Sequence, residues 1–261
     1  MITHASFFSG IGGFDLAAET VGFDNLLHCE INPICRRVLN YYWPNAKSYE
    51  NIIGTDFTVW RDRIDILTGG FPCQPFSTIG KRQGTEDDRH LWPEMLRAIK
   101  EIKPKWVVGE NVSGFVNWDE GVVFREVLSD LENEGYEVQA FIIPACATGA
   151  PHRRDRIWII ANSMPIGFQG RTHEEQKTRK TSRFKIGEFY PSQVWDPRQD
   201  ILSQSPIIGK HDGISRELDG ITFSNWRQEA CKGFGNAIVP QVAIQIFKTI
   251  IEYENQNHQQ G

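Results

Sequence analysis

Residues 69–78 read Gly-Gly-Phe-Pro-Cys-Gln-Pro-Phe-Ser-Thr, which holds Cys73 between Pro72 and Pro75. The preceding run Ile64-Asp65-Ile66-Leu67-Thr68 reads as a buried strand that breaks at Gly69-Gly70. Open α/β sheets place their chemistry at the carboxyl ends of strands. A thiol on a proline-stiffened loop there is a candidate nucleophile. Taken alone, Cys73 reads first as a small buried hydrophobe, as most free cysteines do. Four other segments change that reading.

Phe7-Phe8-Ser9-Gly10-Ile11-Gly12-Gly13-Phe14 is a glycine-rich turn between a first strand and a first helix. Backbone there can approach a ligand closely, and a helix N-terminus favours polar or anionic groups. The third glycine follows the second directly, so this is not the dinucleotide pattern, and a plain tight turn competes. Glu30 ends the next strand, after Leu26-Leu27-His28-Cys29. An acid at the second strand tip commonly holds ribose hydroxyls; otherwise it is a surface acid. In Trp106-Val107-Val108-Gly109-Glu110-Asn111-Val112, Glu110 lies at the end of a buried strand. Desolvation there raises a carboxyl's pKa and makes it a proton donor near neutrality; capping of a following helix is the alternative. Finally, Gly149-Ala150-Pro151-His152-Arg153-Arg154-Asp155-Arg156 runs into a strand at 157–160. Alternation along an extended chain places Arg154 and Arg156 on one side, where two guanidiniums can grip a carboxylate or phosphate.

The elements that must carry these residues alternate over the first 160 positions. Strand-like runs at 2–8, 25–30, 64–68, 106–110, 136–143 and 156–161 are interleaved with helix-like runs at 14–21, 33–42, 91–103 and 122–131. Pro33 suits a first helical turn, and apolar residues at 91, 92, 95, 96, 99 and 102 have helical spacing. The pattern predicts an α/β fold, a mostly parallel sheet with helices on both faces. After 162 the texture turns polar and rich in Gly, Pro, Ser and Arg. A structureless loop of such length is unusual in a compact domain, so 163–230 reads as a small lobe. Gly235-Asn236-Ala237 then opens a helix with apolar residues at 238, 239, 242, 243, 246, 247 and 250. The expected organisation is a catalytic domain of 1–162 plus 231–261, with the lobe inserted.

At 261 residues, 40% hydrophobic and 23% charged, the chain can bury a sizeable core. No apolar run reaches membrane-spanning length, and the first residues lack the pattern of a signal peptide. Five cysteines (29, 35, 73, 146, 231) without a Cys-x-x-Cys pair predict reduced thiols in a cytoplasm. They argue against a disulfide framework and a structural zinc site. Net charge is −5, yet residues 153–185 hold nine Lys/Arg against three acids, locally +6. A basic face on an acidic body suits phosphate contact; for 171–185 a solvated surface loop is the alternative.

Together these segments resemble the DNA cytosine-5 methyltransferases. The glycine loop, the Pro-Cys-Gln loop, Glu-Asn-Val and the Arg-x-Arg strand start occur in that family's order. So does Gly235-Asn236-Ala237-Ile238-Val239-Pro240-Gln241-Val242-Ala243. The resemblance covers residues 1–162 and 231–252. It implies a Rossmann-like S-adenosylmethionine-dependent methyltransferase fold with a small target-recognition lobe, S-adenosylmethionine as cofactor and double-stranded DNA as substrate. It further implies that the Cys73 thiolate adds to carbon 6 of cytosine. Glu110 would bond ring nitrogen 3 and the exocyclic amine, and Arg156, with Arg154 close by, would orient the base or Glu110. The target base must leave the duplex stack. Ser77 and Arg82 would touch the flipped strand's backbone. The basic residues Arg171, Lys177, Arg179, Lys180, Arg183 and Lys185 would contact DNA phosphates.

By the same resemblance Phe8, Gly10, Ile11, Gly12 and Gly13 cradle the cofactor and Glu30 binds its ribose. Pro72, Leu91 and Asn236 complete the pocket. Two positions depart from the family pattern. Ile31 stands where an aromatic commonly packs on adenine, and the acid for the adenine amine aligns with Asn51, with Asp56 nearby. The lobe is short for the family. Compact members occur in phages and restriction–modification systems, so a cognate restriction endonuclease is an expected partner, and a monomer the expected state.

Three rivals stand beside this reading. A tRNA cytosine-5 methyltransferase would carry a Cys-Phe-Thr segment in its recognition region, whereas 163–230 contains no cysteine. A silent DNA-binding protein on the same scaffold is disfavoured by the intact Cys73, Glu110, Arg154 and Arg156. A thiol hydrolase would need a histidine base, with His90 and His152 the candidates, and would leave the glycine and Asn236 segments without a role.

Overall fold

A computed structural model describes residues 1–72, 91–163, 233 and 235–258. β1 (Thr3–Phe7), α1 (Gly13–Thr20), β2 (Asp24–Cys29), α2 (Pro33–Tyr42) and β3 (Lys47–Tyr49) step outward to one edge of a sheet. The chain then returns to the centre. β4 (Ile66–Gly69), α3 (Trp92–Ile102), β5 (Trp106–Val112), α4 (Val122–Asn133), β6 (Tyr136–Ile143) and β7 (Arg156–Ser163) build the other half, and α5 (Pro240–His258) follows. The strand order is β3-β2-β1-β4-β5-β7-β6. β1 and β4 are parallel neighbours whose following connections diverge. That is a topological switch point, where open α/β sheets form their ligand crevice. The glycine loop leaves β1 there, and the segment leading to Cys73 leaves β4.

Alternation along the central strands sorts side chains onto two faces. On one, Ala5, Phe7, Leu67 and Val107 meet Met95 and Ile99 of α3 and Val127 and Leu131 of α4. On the other, Ile66, Val108 and Trp158 meet Phe14, Ala17 and Ala18 of α1 and Val242, Ile246 and Phe247 of α5. α2 begins as its sequence dictates. Pro33 occupies its first turn, and the Asn32 side chain accepts hydrogen bonds from the Ile34 and Cys35 amides at 2.8 and 3.3 Å.

Three features differ from the sequence expectation. β3 has three residues, too few for a periodic signal. β7 runs antiparallel to both β5 and β6, so the sheet is parallel only as far as β5. Gly235 and Asn236 are helical as expected, but the helix breaks over 237–239 and the last helix starts anew at Pro240, because proline disfavours helical backbone at the preceding Val239 while itself suiting a first turn. Among the described residues no helix is long and apolar enough to cross a membrane.

Candidate active site

Glu110 lies near the carboxyl end of β5, 8% exposed. The Arg156 guanidinium, at the start of the neighbouring antiparallel strand β7, donates from Nε to Glu110 Oε1 at 3.0 Å. Burial pushes the Glu110 carboxyl up to about 7, although Arg156 and then Arg154 pull it down. Desolvation therefore outweighs the ion pair. Oε2 is turned toward Gly70, where a Cβ would stand 3.5 Å from it. Glu110 is not the cap of the following turn: its carboxylate pairs with Arg156, and the Val112 amide at the turn's start is taken by Asn111 Oδ1.

The root of the Cys73 loop is locked to this strand. Asn111 Nδ2 donates to the Phe71 carbonyl at 3.0 Å, and Asn111 Oδ1 accepts from the Val112 amide at 2.9 Å. The Phe71 ring lies over Gly109, where a Cβ would be 3.4 Å away. Pro72 is half-buried. Leu91 precedes α3, and its carbonyl accepts from the Met95 amide at 3.0 Å. Cys73, Ser77, Arg82 and the basic set Arg171, Lys177, Arg179, Lys180, Arg183 and Lys185 lie outside the described residues, as does most of 163–230.

Across the switch point, Glu30 follows β2. Its Oε2 accepts from the Gly10 amide at 2.8 Å and its Oε1 from the Asn32 amide at 2.8 Å. A carboxylate offers about four lone-pair positions, so acceptor capacity remains for hydroxyls. Arg36, which carries no obvious sequence signal, donates to the Glu30 and Ile31 carbonyls at 3.0 and 2.9 Å and braces the loop. Phe8 and Gly10 have φ of 53° and 54°. A Cβ on Gly10 would meet nothing within 4 Å, so this glycine leaves its backbone open to a ligand.

Gly12 and Gly13 differ from Gly10. A Cβ at Gly12 would come within 2.4 Å of Trp43 Cζ3, and one at Gly13 within 2.6 Å of Ile238 Cγ1. Their missing side chains admit neighbours from the chain itself. Ile11 is half-buried against Gly233, and Asn236 is exposed. Ile31 is 61% exposed and Ile53 also open, an apolar pair following the adjacent strands β2 and β3. Asn51 Oδ1 accepts from the Ile53 amide at 2.9 Å, and Asp56 Oδ1 from the Thr58 amide at 2.8 Å. Both oxygens thus shape their own turns. A strand-tip acid, an open glycine and exposed apolar side chains together fit a nucleoside cofactor.

The segment carrying Arg154 and Arg156 is not extended as expected, although both guanidiniums act on the Glu110 carboxyl. Arg154 has φ of 36°, outside extended backbone, and β7 begins only at Arg156. Alternation does not operate across that residue. Arg154 Nη2 instead donates to the carbonyls of Gly235 and Ala237 at 2.9 and 2.7 Å.

The fold is Rossmann-like and similar to that of the crystal structure of the S. pombe Dnmt2 methyltransferase, with TM-score 0.55 and 23% identity over 73% of this chain and 59% of that one. A sequence profile of the C-5 cytosine-specific DNA methylases matches residues 2–217, and the chain belongs to that family. It is 41% identical over 156 residues to the Type II methyltransferase M.PspPI of Psychrobacter sp. (strain TA137), covering 59% of this chain and 38% of that protein. With M.Eco47II of Escherichia coli it shares 34% identity over 195 residues, 72% of this chain and 46% of that protein. With M.AquIA of Picosynechococcus sp. it shares 32% over 181 residues, 63% of this chain and 73% of that protein. The chain thus spans less than half the length of the first two relatives.

Proposed function

We propose that this chain is a DNA (cytosine-5-)-methyltransferase that acts on a short sequence of double-stranded DNA through a covalent adduct with Cys73. The observation that carries the reading is the buried Glu110–Arg156 pair at the root of the Cys73 loop. S-adenosylmethionine, when bound, supplies an electrophilic methyl group. Cytosine carbon 5 is a poor nucleophile until the Cys73 sulfur bonds to carbon 6. The displaced electron pair needs a proton at ring nitrogen 3. Glu110, pushed up to about 7, holds a transferable proton near neutrality. Arg156 fixes one carboxyl oxygen and leaves the other facing Gly70. Loss of the carbon-5 proton and departure of the thiolate later restore the aromatic ring.

Glu30 and the open Gly10 are the residues that would hold the cofactor's ribose side, and Ile31 and Ile53 its adenine. DNA phosphates would meet the basic stretch 171–185, and base edges the rest of the 163–230 lobe. The Type II naming of the relatives supports a restriction–modification context with a cognate endonuclease.

The test is transfer of labelled methyl from S-adenosylmethionine to unmodified double-stranded DNA, with tRNA in parallel and positions mapped by bisulfite sequencing. Label on DNA cytosine is expected and would reveal the recognition sequence. Label on tRNA alone, or on neither substrate, would overturn the reading. Lys/Arg→Ala changes within 171–185 should flatten the salt dependence of DNA affinity; an unchanged slope would remove that stretch from the interface.

A further inference from the structure

We propose that Arg154 is a positioning residue that ties the cofactor-side segment 235–238 to the strand carrying Arg156, so that cofactor affinity depends on it. The proposal rests on the methyltransferase reading above. Its ground is the path of contacts around one short segment. The Arg154 guanidinium donates to the carbonyls of Gly235 and Ala237, which flank Asn236. The same segment sits on the glycine loop from its other side. A Cβ on Gly233 would stand 3.0 Å from Ile11 Cγ2, and one on Gly13 would stand 2.6 Å from Ile238 Cγ1. The Ala237 amide donates to the Gly233 carbonyl at 3.0 Å, closing the segment on itself.

Arg154 holds a left-handed φ of 36°, a conformation unfavourable for a residue with a side chain. Its surroundings maintain it. The Ala145 amide donates to the Arg153 carbonyl at 2.7 Å, and Arg153 pairs with Asp155 across it at 2.8 Å. The backbone reversal sends Arg154 toward 235–237 while Arg156, two residues on, reaches Glu110. One short turn thus serves both halves of the crevice. Both bonds come from Nη2, whose two hydrogens are fixed in the guanidinium plane and aimed at the two carbonyls, whereas a lysine ammonium keeps the charge on a freely rotating group with a shorter reach.

The experiment is calorimetric titration of S-adenosylhomocysteine into the full chain for wild type, Arg154→Gln and Arg154→Lys. Hydrogen exchange across 233–239 is measured alongside. Kd is expected to rise about tenfold in R154Q and several-fold in R154K, from loss of a two-bond anchor. Exchange should accelerate within 235–239. If R154Q does not fold, R154K decides by the same two readings. Full rescue of affinity by lysine would overturn the proposal, since charge alone would then suffice. So would unchanged cofactor affinity with weakened DNA binding, which would make Arg154 a DNA contact. Absence of binding to the wild type would instead sink the methyltransferase reading itself.

Discussion

The two sides of the crevice each present a glutamate just beside a strand tip, in opposite settings. Glu30 is wrapped by backbone: the Gly10 and Asn32 amides take its two oxygens, and Arg36 holds the carbonyls beside it. Glu110 is buried, meets the Arg156 guanidinium and is pushed up to about 7. The first arrangement makes a fixed acceptor, suited to hydroxyls. The second makes a proton carrier, suited to a ring that must gain and lose charge. Residue type and strand position are shared, so local donors and burial decide the chemistry.

That division is broken most severely at Cys73. Cys73→Ala should lower methyl transfer by at least about 10⁴-fold, because in the proposed mechanism the thiolate adduct is what activates carbon 5. Cofactor affinity, which belongs to the other side, should be unchanged. Steady-state rates with calorimetry of S-adenosylhomocysteine check both halves, and residual turnover near wild type would end the covalent mechanism.

Next in size is Glu110→Gln, expected to lower kcat by roughly 10²–10⁴-fold, the usual contribution of a positioned acid. The wild type carries a signature the variant lacks. A donor titrating at about 7 is protonated below that pH and depleted above it, so kcat should fall as pH rises through neutrality. In E110Q this alkaline limb should vanish from the pH–rate profile. A limb that persists would belong to another group.

Much of the base side was legible in the sequence, since a buried strand ending in an acid and an Arg-x-Arg strand start are local patterns. The pairing of Glu110 with Arg156 follows once β5 and β7 are neighbours. The destination of Arg154 was not legible, because a left-handed residue breaks the alternation used to aim its side chain. On the cofactor side the three glycines of one short loop, Gly10, Gly12 and Gly13, look alike as sequence. Only tertiary contact distinguishes Gly10, which faces open space, from Gly12 and Gly13, which admit Trp43 and Ile238. Arg36 and Asn111 likewise act through carbonyls that have no sequence signature. Helices and central strands fell within a few residues of expectation, whereas β3 and the direction of β7 depend on partners rather than on pattern.

Glu30→Ala tests the cofactor side with a smaller effect. It leaves the Gly10 and Asn32 amides without their acceptor and removes the hydroxyl partner. Cofactor Kd should rise about 10–100-fold, in the range of hydrogen bonds to a charged group. At saturating cofactor kcat should fall far less than in E110Q. A loss confined to kcat would place Glu30 in the proton chemistry and collapse the distinction between the two acids.

The smallest effect on turnover, within about threefold, is expected at Asp15, and it sharpens the comparison by supplying a third acid. Asp15 lies in the first turn of α1, fully buried, and its carboxylate accepts from Ser6 Oγ at 2.8 Å. Ser6 Oγ in turn meets Ser9 Oγ of the glycine loop at 2.7 Å. Burial pushes this carboxyl from 3.8 up to about 7, much as it does Glu110, yet no cation pairs with it among the described residues. The unfolded chain releases the proton near 3.8 and the native chain only near 7, so the native state binds more protons between those values. The contribution of Asp15 to stability should therefore be full below about pH 4, decline by about 4 kcal/mol as pH rises to 7, and level off above. Asp15→Asn should flatten that decline in urea melts across pH while cofactor affinity stays near wild type. If D15N instead reproduced the E110Q loss of rate, an elevated carboxyl pKa alone would suffice to mark a proton carrier. If turnover holds, the distinction lies in Arg156, a partner that Asp15 lacks among the described residues.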